Sequence, residues 1–223
     1  MKKPFELVIF DCDGVLVDSE PITNRIFAEM LSELGVQLTT AVMRELFIGR
    51  SLAQCLQQVE TLLGEPIPTT FVPTLRQRAG AVLLAELQAI EGIHAALDAI
   101  HLPICVASSG DREKMQLTLG KTGLLSRFSP NNIFSADDVA HAKPAPDLFL
   151  LAAQQNGVAP AACAVIEDSP SGVRAGVAAG MTVFGFAAHT PASELRREGA
   201  HLIFSEMAQL PNLLTSSHNT ING

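Results

Sequence analysis

Lysine and arginine never gather into a cluster, no CxxC pair links the cysteines, and no HxH or HExxH spacing occurs among the histidines. Each absence removes a class of function. A chain with a formal net charge of -8 and no basic patch is poorly made to neutralise a run of phosphates on DNA or RNA, so nucleic acid is not an expected partner. Cys12, Cys55, Cys105 and Cys163 are widely separated and mostly lie in apolar stretches, which predicts reduced core residues rather than disulfides or a zinc site. His94, His101, His141, His189, His201 and His218 give no ligand pattern, and His141 is read as a surface-loop residue. The opening MKKPFELVIF carries two lysines, but its short apolar stretch stops at Asp11, which predicts neither a signal peptide nor a membrane span and hence a cytoplasmic protein.

Apolar residues make up 48% of the 223 residues and charged residues 17%, ample material for a packed interior. Leu7 to Phe10 is a continuous apolar run, the mark of a strand buried on both faces of a parallel sheet. Similar runs occur at Pro103 to Ala107, Ala162 to Ile166 and Met181 to Phe186. Helical patterns lie between them. Asp111 caps one running to about Thr122, Pro144 and Pro146 open one ending at Gly157, and Ser169 with Pro170 open one ending near Gly180. This alternation predicts a doubly wound, Rossmann-like parallel α/β sheet.

Between Pro21 and about Glu86 no buried-strand run occurs, and amphipathic spacing such as Leu52, Cys55, Leu56, Val59, Leu62 and Leu63 takes over, closed by Gly64. The expected organisation is an α/β core of residues 1–19 and 87–223 with a small α-helical domain, 20–86, inserted after the first strand. The polar tail after Leu214 is expected to fray, and a monomer is the default.

In open parallel sheets, ligands bind beyond the carboxyl ends of the strands. The residues just past the apolar runs are Asp11, Asp13, Ser108, Ser109, Glu167 and Asp168. Carboxylates brought to one edge repel one another unless a cation or proton stands between them, and oxygen donors favour magnesium. Asp11 and Asp13, two apart in an extended segment, leave on the same side, whereas Cys12 between them faces away. Taken singly these features have ordinary explanations. Asp-Cys-Asp-Gly also suits a turn after a strand, Ser108 before a helix is a common cap, and a lone Lys143 in a polar loop is commonly solvated.

The four stretches DCDGVLVDS (11–19), VASSG (106–110), KPAPD (143–147) and IEDSPSGVRAGVAAG (166–180), in that order at predicted strand ends, resemble the motifs of the haloacid dehalogenase superfamily. The resemblance implies that Asp11 is a nucleophile forming an aspartyl-phosphate. Asp13 would protonate the leaving oxygen and then activate water, while Ser108, Ser109 and Lys143 would hold the phosphoryl group. It also implies magnesium held by Asp11, the Asp13 carbonyl and Asp168, with Glu167 counted among the metal residues. The helical insert looks like that family's small cap, which closes over the active site and selects substrate; Gly49 and Arg50 in IGRSLAQ are placed on the substrate side.

Three activities of that family compete. A haloacid dehalogenase needs no leaving-group acid or metal, yet Asp13 and the Glu167–Asp168 pair are present. Sugar-phosphate mutases of the β-phosphoglucomutase kind use a cap His and a cap Arg, where this chain has Thr23 and Leu52. The expectation is therefore a phosphatase of a small phosphorylated metabolite, with the stretch from Ile90 to Phe128 similar to bacterial phosphosugar phosphatases of the 6-phosphogluconate type. The mutase is the alternative, and a non-enzymatic binding module would require loss of a catalytic group.

Overall fold

The computed structural model describes residues 5–39, 42 and 52–216. Gly49 and Arg50 fall outside the described residues, as does the tail from 217 onward, while Leu210–Ser216 is helical. The chain divides into two compact units, Met1–Asp18 with Gln88–Gly223, and Ser19–Leu87.

The larger unit is built on six parallel strands: β1 (Leu7–Phe10), β2 (Ile104–Ser108), β3 (Ile133–Ser135), β4 (Cys163–Glu167), β5 (Thr182–Phe186) and β6 (Leu202–Phe204). Their spatial order is β3-β2-β1-β4-β5-β6. The first three strands step away from β1 in one direction and the last three in the other, so the order reverses between β1 and β4. That reversal opens a crevice at the carboxyl ends of these two strands. The architecture is the doubly wound parallel sheet expected from the sequence.

Burial explains why these segments form strands. All four residues of β1 and all five of β4 are buried, so both faces of the sheet centre need apolar side chains. On one face Leu7, Ile9, Cys105, Ala107 and Val165 pack with Leu148, Phe149 and Ala152 and with Val173. The helices carry their own start signals. Asp111 Oδ1 accepts from the backbone N–H of Lys114 at 2.7 Å, capping Arg112–Lys121, and Ser169 Oγ accepts from Gly172 N–H at 3.0 Å, capping Pro170–Ala178. Pro170 sits at the first helical position, where its missing N–H has no consequence.

The smaller unit has no strand among its described residues. Glu20–Glu33, Leu52–Leu63 and Phe71–Glu86 are helices whose apolar faces meet through Ile26, Phe27, Met30, Leu31, Val59, Phe71 and Leu75, with Phe27 and Phe71 in edge contact at 5.8 Å. Its surface ion pairs, Arg25–Glu86 and Arg78–Glu33, are solvent-exposed and contribute little. Among the described residues no helix is long and apolar enough to cross a membrane.

Candidate active site

Strand register brings the chemistry together. Phe10 pairs with Ile166 on one side and Val106 on the other, so the next residue along β1, Asp11, emerges beside Glu167 and Ala107. The Asp11 backbone N–H donates to the Ile166 carbonyl at 3.0 Å, extending the ladder by one residue and fixing where its side chain departs. Ser108 closes β2 and is 2% exposed, while Ser109 is exposed.

Lys143 arrives from the loop before the helix Asp147–Gln155, and its side chain is only 2% exposed. Its ammonium donates to Asp11 Oδ1 at 2.6 Å, Glu167 Oε1 at 2.7 Å and the Ala107 carbonyl at 2.9 Å, thereby joining the ends of β1, β2 and β4. Its ammonium also lies over the Phe149 ring, Nζ 4.7 Å from the centroid. An ammonium with three close acceptors keeps its hydration equivalent inside the protein.

Electrostatics follow from this sharing. Burial pushes the Asp11 carboxyl up to about 7; Lys143 opposes the rise, and neighbouring Glu167 and Asp13 add to it. Burial would drive Lys143 down, but two facing carboxylates hold it above its ordinary value. The two shifts differ in origin: burial raises Asp11 against the pull of one shared ammonium, while two carboxylates raise Lys143 against burial.

Glu167, expected among the metal residues, has protein donors on both carboxylate oxygens. Its carboxylate is fully buried; Oε1 is taken by Lys143, and Oε2 accepts from Ser169 N–H at 3.0 Å and Ser169 Oγ at 2.9 Å. The helix starting at Pro170 approaches so closely that Glu167 occupies the space a Cβ on Gly172 would need. Asp168, one residue on, is 4% exposed and lies against Gly14, whose φ of 78° no larger side chain would favour and whose missing Cβ admits the carboxylate. Replacing Gly14 by alanine should therefore displace Asp168 and lower magnesium affinity at least about tenfold; a variant titrating like wild type in a metal-dependent thermal shift would count against this placement.

Among the described residues, no three His, Cys, Asp or Glu side chains already close on a common point as a metal-binding group. The donor set that the resemblance implies asks for fewer side chains, namely the carboxylates of Asp11 and Asp168 with the main-chain carbonyl of Asp13. Carboxylate oxygens of Asp11, Asp13, Glu167 and Asp168 gather at these strand ends, with Lys143 between Asp11 and Glu167 and Lys114 on Asp13. Hard oxygen donors of this kind fit magnesium.

Lys114 is the residue that sequence reasoning missed. Its Nζ donates to Asp13 Oδ2 at 2.7 Å from the first turn of the helix Arg112–Lys121. The signal was present but indirect: the Asp111 cap starts the helix directly after the VASSG strand end, which turns its first residues toward the strand edge. Cys12 packs away from the aspartates, its sulfur 4.0 Å from Thr118 Oγ1, and burial raises its thiol well above the ordinary range, so it stays protonated. The exposed His141 ring pairs with Asp147 at 2.8 Å, in the first turn of the following helix.

Residues 8–186 match the family model described as haloacid dehalogenase-like hydrolase. The chain is 36% identical over 209 residues to the 6-phosphogluconate phosphatase of Escherichia coli, a match covering 93% of this chain and 94% of that protein. Among solved structures it resembles a haloacid dehalogenase-like protein of unknown function from Agrobacterium tumefaciens, with a TM-score of 0.90, 36% identity and coverage of 96% and 100% of the two chains. A HAD family hydrolase from Deinococcus radiodurans, solved with bound phosphate and sodium, matches with a TM-score of 0.81, 33% identity and 96% coverage of each chain.

Proposed function

The chain belongs to the haloacid dehalogenase-like hydrolases, and from that premise we propose that it is a magnesium-dependent phosphatase of a small sugar phosphate such as 6-phosphogluconate. The observation that carries the reading is the Lys143 ammonium, which ties Asp11 to Glu167 and the Ala107 carbonyl at the switch point of the sheet. Phosphosugar specificity rests on the similarity to the Escherichia coli phosphatase, and a phosphorylated ligand is in keeping with the Deinococcus hydrolase having been solved with bound phosphate. A cytoplasmic location and action as a monomer belong to the same proposal, as do substrate contacts from Gly49 and Arg50.

Asp11 attacks phosphorus, forming an aspartyl-phosphate while the bond to the leaving oxygen breaks and Asp13 gives that oxygen its proton. Asp13 then takes a proton from water, which attacks the same phosphorus and releases inorganic phosphate with Asp11 regenerated. Lys143 and Ser108 hold equatorial phosphoryl oxygens, and Glu167 and Ser169 keep Lys143 in place. Magnesium, held by Asp11, the Asp13 carbonyl and Asp168, would neutralise charge on the phosphoryl group, which is where most of the barrier to phosphoryl transfer is lowered.

The test is phosphate release from a panel of sugar and organic phosphates, including 6-phosphogluconate and β-glucose 1-phosphate, with and without magnesium and with Asp11→Asn as the blank. Magnesium-dependent release abolished by the substitution supports the phosphatase. Conversion of glucose 1-phosphate to glucose 6-phosphate on addition of a bisphosphate primer, with no phosphate released, would make the chain a mutase. Thr23 argues against that outcome, since its hydroxyl donates to the Ser19 carbonyl at 3.0 Å within its own helix.

A second prediction needs no substrate. Asp11 must lose its proton to bind a cation, and burial holds that proton on up to about pH 7. Metal and proton therefore compete. The rise in melting temperature on adding magnesium should be larger at about pH 8 than at about pH 5.5, and an equal or larger rise at acid pH would remove Asp11 from the metal site.

A further inference from the structure

The leaving group of a sugar phosphate is an alkoxide, which departs only if it is protonated as the bond breaks, so the direction in which Asp13 presents its carboxyl group matters as much as its presence. That direction is set from outside the four motifs. Lys114 Nζ meets Asp13 Oδ2 at 2.7 Å, and the pair is partly buried, with side-chain exposures of 36% and 29%. The backbone beneath Lys114 is itself fixed by the Asp111 cap on its N–H. Beside the pair stands Gly110, where a Cβ would lie in ordinary contact distance of both, 3.7 Å from Asp13 Oδ2 and 3.8 Å from Lys114 Cδ.

We propose that Lys114 is a positioning residue that fixes the plane of the Asp13 carboxyl group, and that this contact fits the site to alkyl phosphates, whose leaving oxygen needs a proton. The inference rests on the phosphatase reading. During the first step the proton passes from the Asp13 carboxyl to the ester oxygen as the phosphorus–oxygen bond breaks, and Lys114 keeps its own protons throughout. Burial alone would favour a neutral Lys114, but Asp13 holds it above its ordinary value, so the contact remains that of an ammonium.

The discriminating measurement compares kcat/KM for an alkyl phosphate, glycerol 2-phosphate, with that for p-nitrophenyl phosphate, using the full-length protein with magnesium. Nitrophenolate leaves without a proton, and kcat/KM reports only steps up to formation of the aspartyl-phosphate. Lys114→Met should lower the value for the alkyl ester at least about tenfold while leaving the aryl ester within about threefold, and Lys114→Arg should restore most of the loss. Should Lys114→Met fail to fold by circular dichroism, Lys114→Gln, which is one bond shorter and polar but uncharged, makes the same comparison. An equal loss on both esters, or no loss on either, overturns the inference and leaves the phosphatase reading standing. Wild type releasing phosphate from neither ester, with Asp11→Asn as the blank, overturns the phosphatase reading and this inference with it.

Discussion

Lys143→Met should lower kcat/KM for the preferred phosphate ester by roughly 10²–10³-fold and should make the protein's stability more strongly dependent on pH. Methionine is an apolar, unbranched side chain of similar length, so the loss is that of the ammonium, including its contact with the Phe149 ring. With it go the donors to Asp11, Glu167 and the Ala107 carbonyl. Removing one partner of a buried ion pair leaves an uncompensated charge at a cost of up to about 3–5 kcal/mol, which a carboxyl that takes up a proton lessens. The sign follows from Asp11, whose carboxyl is already raised by burial and is held back chiefly by Lys143. Without the lysine it rises further. A carboxyl raised in the folded state contributes stability that is present below its unfolded pKa of about 4 and is lost as pH rises through the folded value. The variant's deficit in urea unfolding should therefore be larger at about pH 8 than at about pH 5.5. A deficit of the same size at both would show that Lys143 acts through packing rather than charge.

The centre of the fold could be read from the sequence because the physics there is one-sided. A strand covered on both faces has to be apolar throughout, and β1, β2, β4 and β5 carry such runs. The edge strands Ile133–Ser135 and Leu202–Phe204 went unread. Each is three residues long, and β6 is only half-buried over Leu202 and Ile203, so neither leaves an unbroken apolar run. Helix starts at Asp111 and Ser169 were legible since a cap is a local bond between a side chain and a backbone N–H a few residues on.

The site divides along the same line. Residues placed by strand ends, Asp11, Asp13, Ser108 and Asp168, follow from where the apolar runs stop. What sequence adjacency hid is direction. Glu167 is the last residue of β4 and Asp168 the first beyond it, so their side chains leave on different sides, one under the Pro170 helix with Lys143 and the other against Gly14. Of these two neighbouring acids, one holds a lysine and the other lies against the turn after β1. Lys114 and Asp13 are 101 residues apart, and only the fold of β1 beside β2 brings them together.

Asp11→Asn should abolish turnover, lowering kcat by roughly 10⁴-fold or more, and yet leave the metal-free protein at least as stable as wild type at about pH 8. The first half follows from chemistry, as an amide is too weak a nucleophile to form the acyl phosphate, and the neighbouring carboxylates are engaged elsewhere, Glu167 by Lys143 and Ser169, and Asp13 by Lys114. The second half follows from the charge. Burial raises the Asp11 carboxyl to about 7 despite a lysine at 2.6 Å, so the folded state holds the ionised form at a disadvantage on the order of a few kcal/mol at alkaline pH. Asparagine has nearly the same shape, carries no charge, and still offers its carbonyl oxygen to Lys143. Below about pH 5 wild-type Asp11 is protonated in the folded state, so the advantage of the variant should fade there. Magnesium should reverse the ranking, since a cation stabilises the ionised wild-type site and gains much less from an amide. Melting curves of both proteins at about pH 5 and about pH 8, with and without magnesium, give the four comparisons. A metal-free Asp11→Asn clearly less stable than wild type at alkaline pH would mean that Lys143 outweighs burial at Asp11, so that the nucleophile is ionised before any metal arrives.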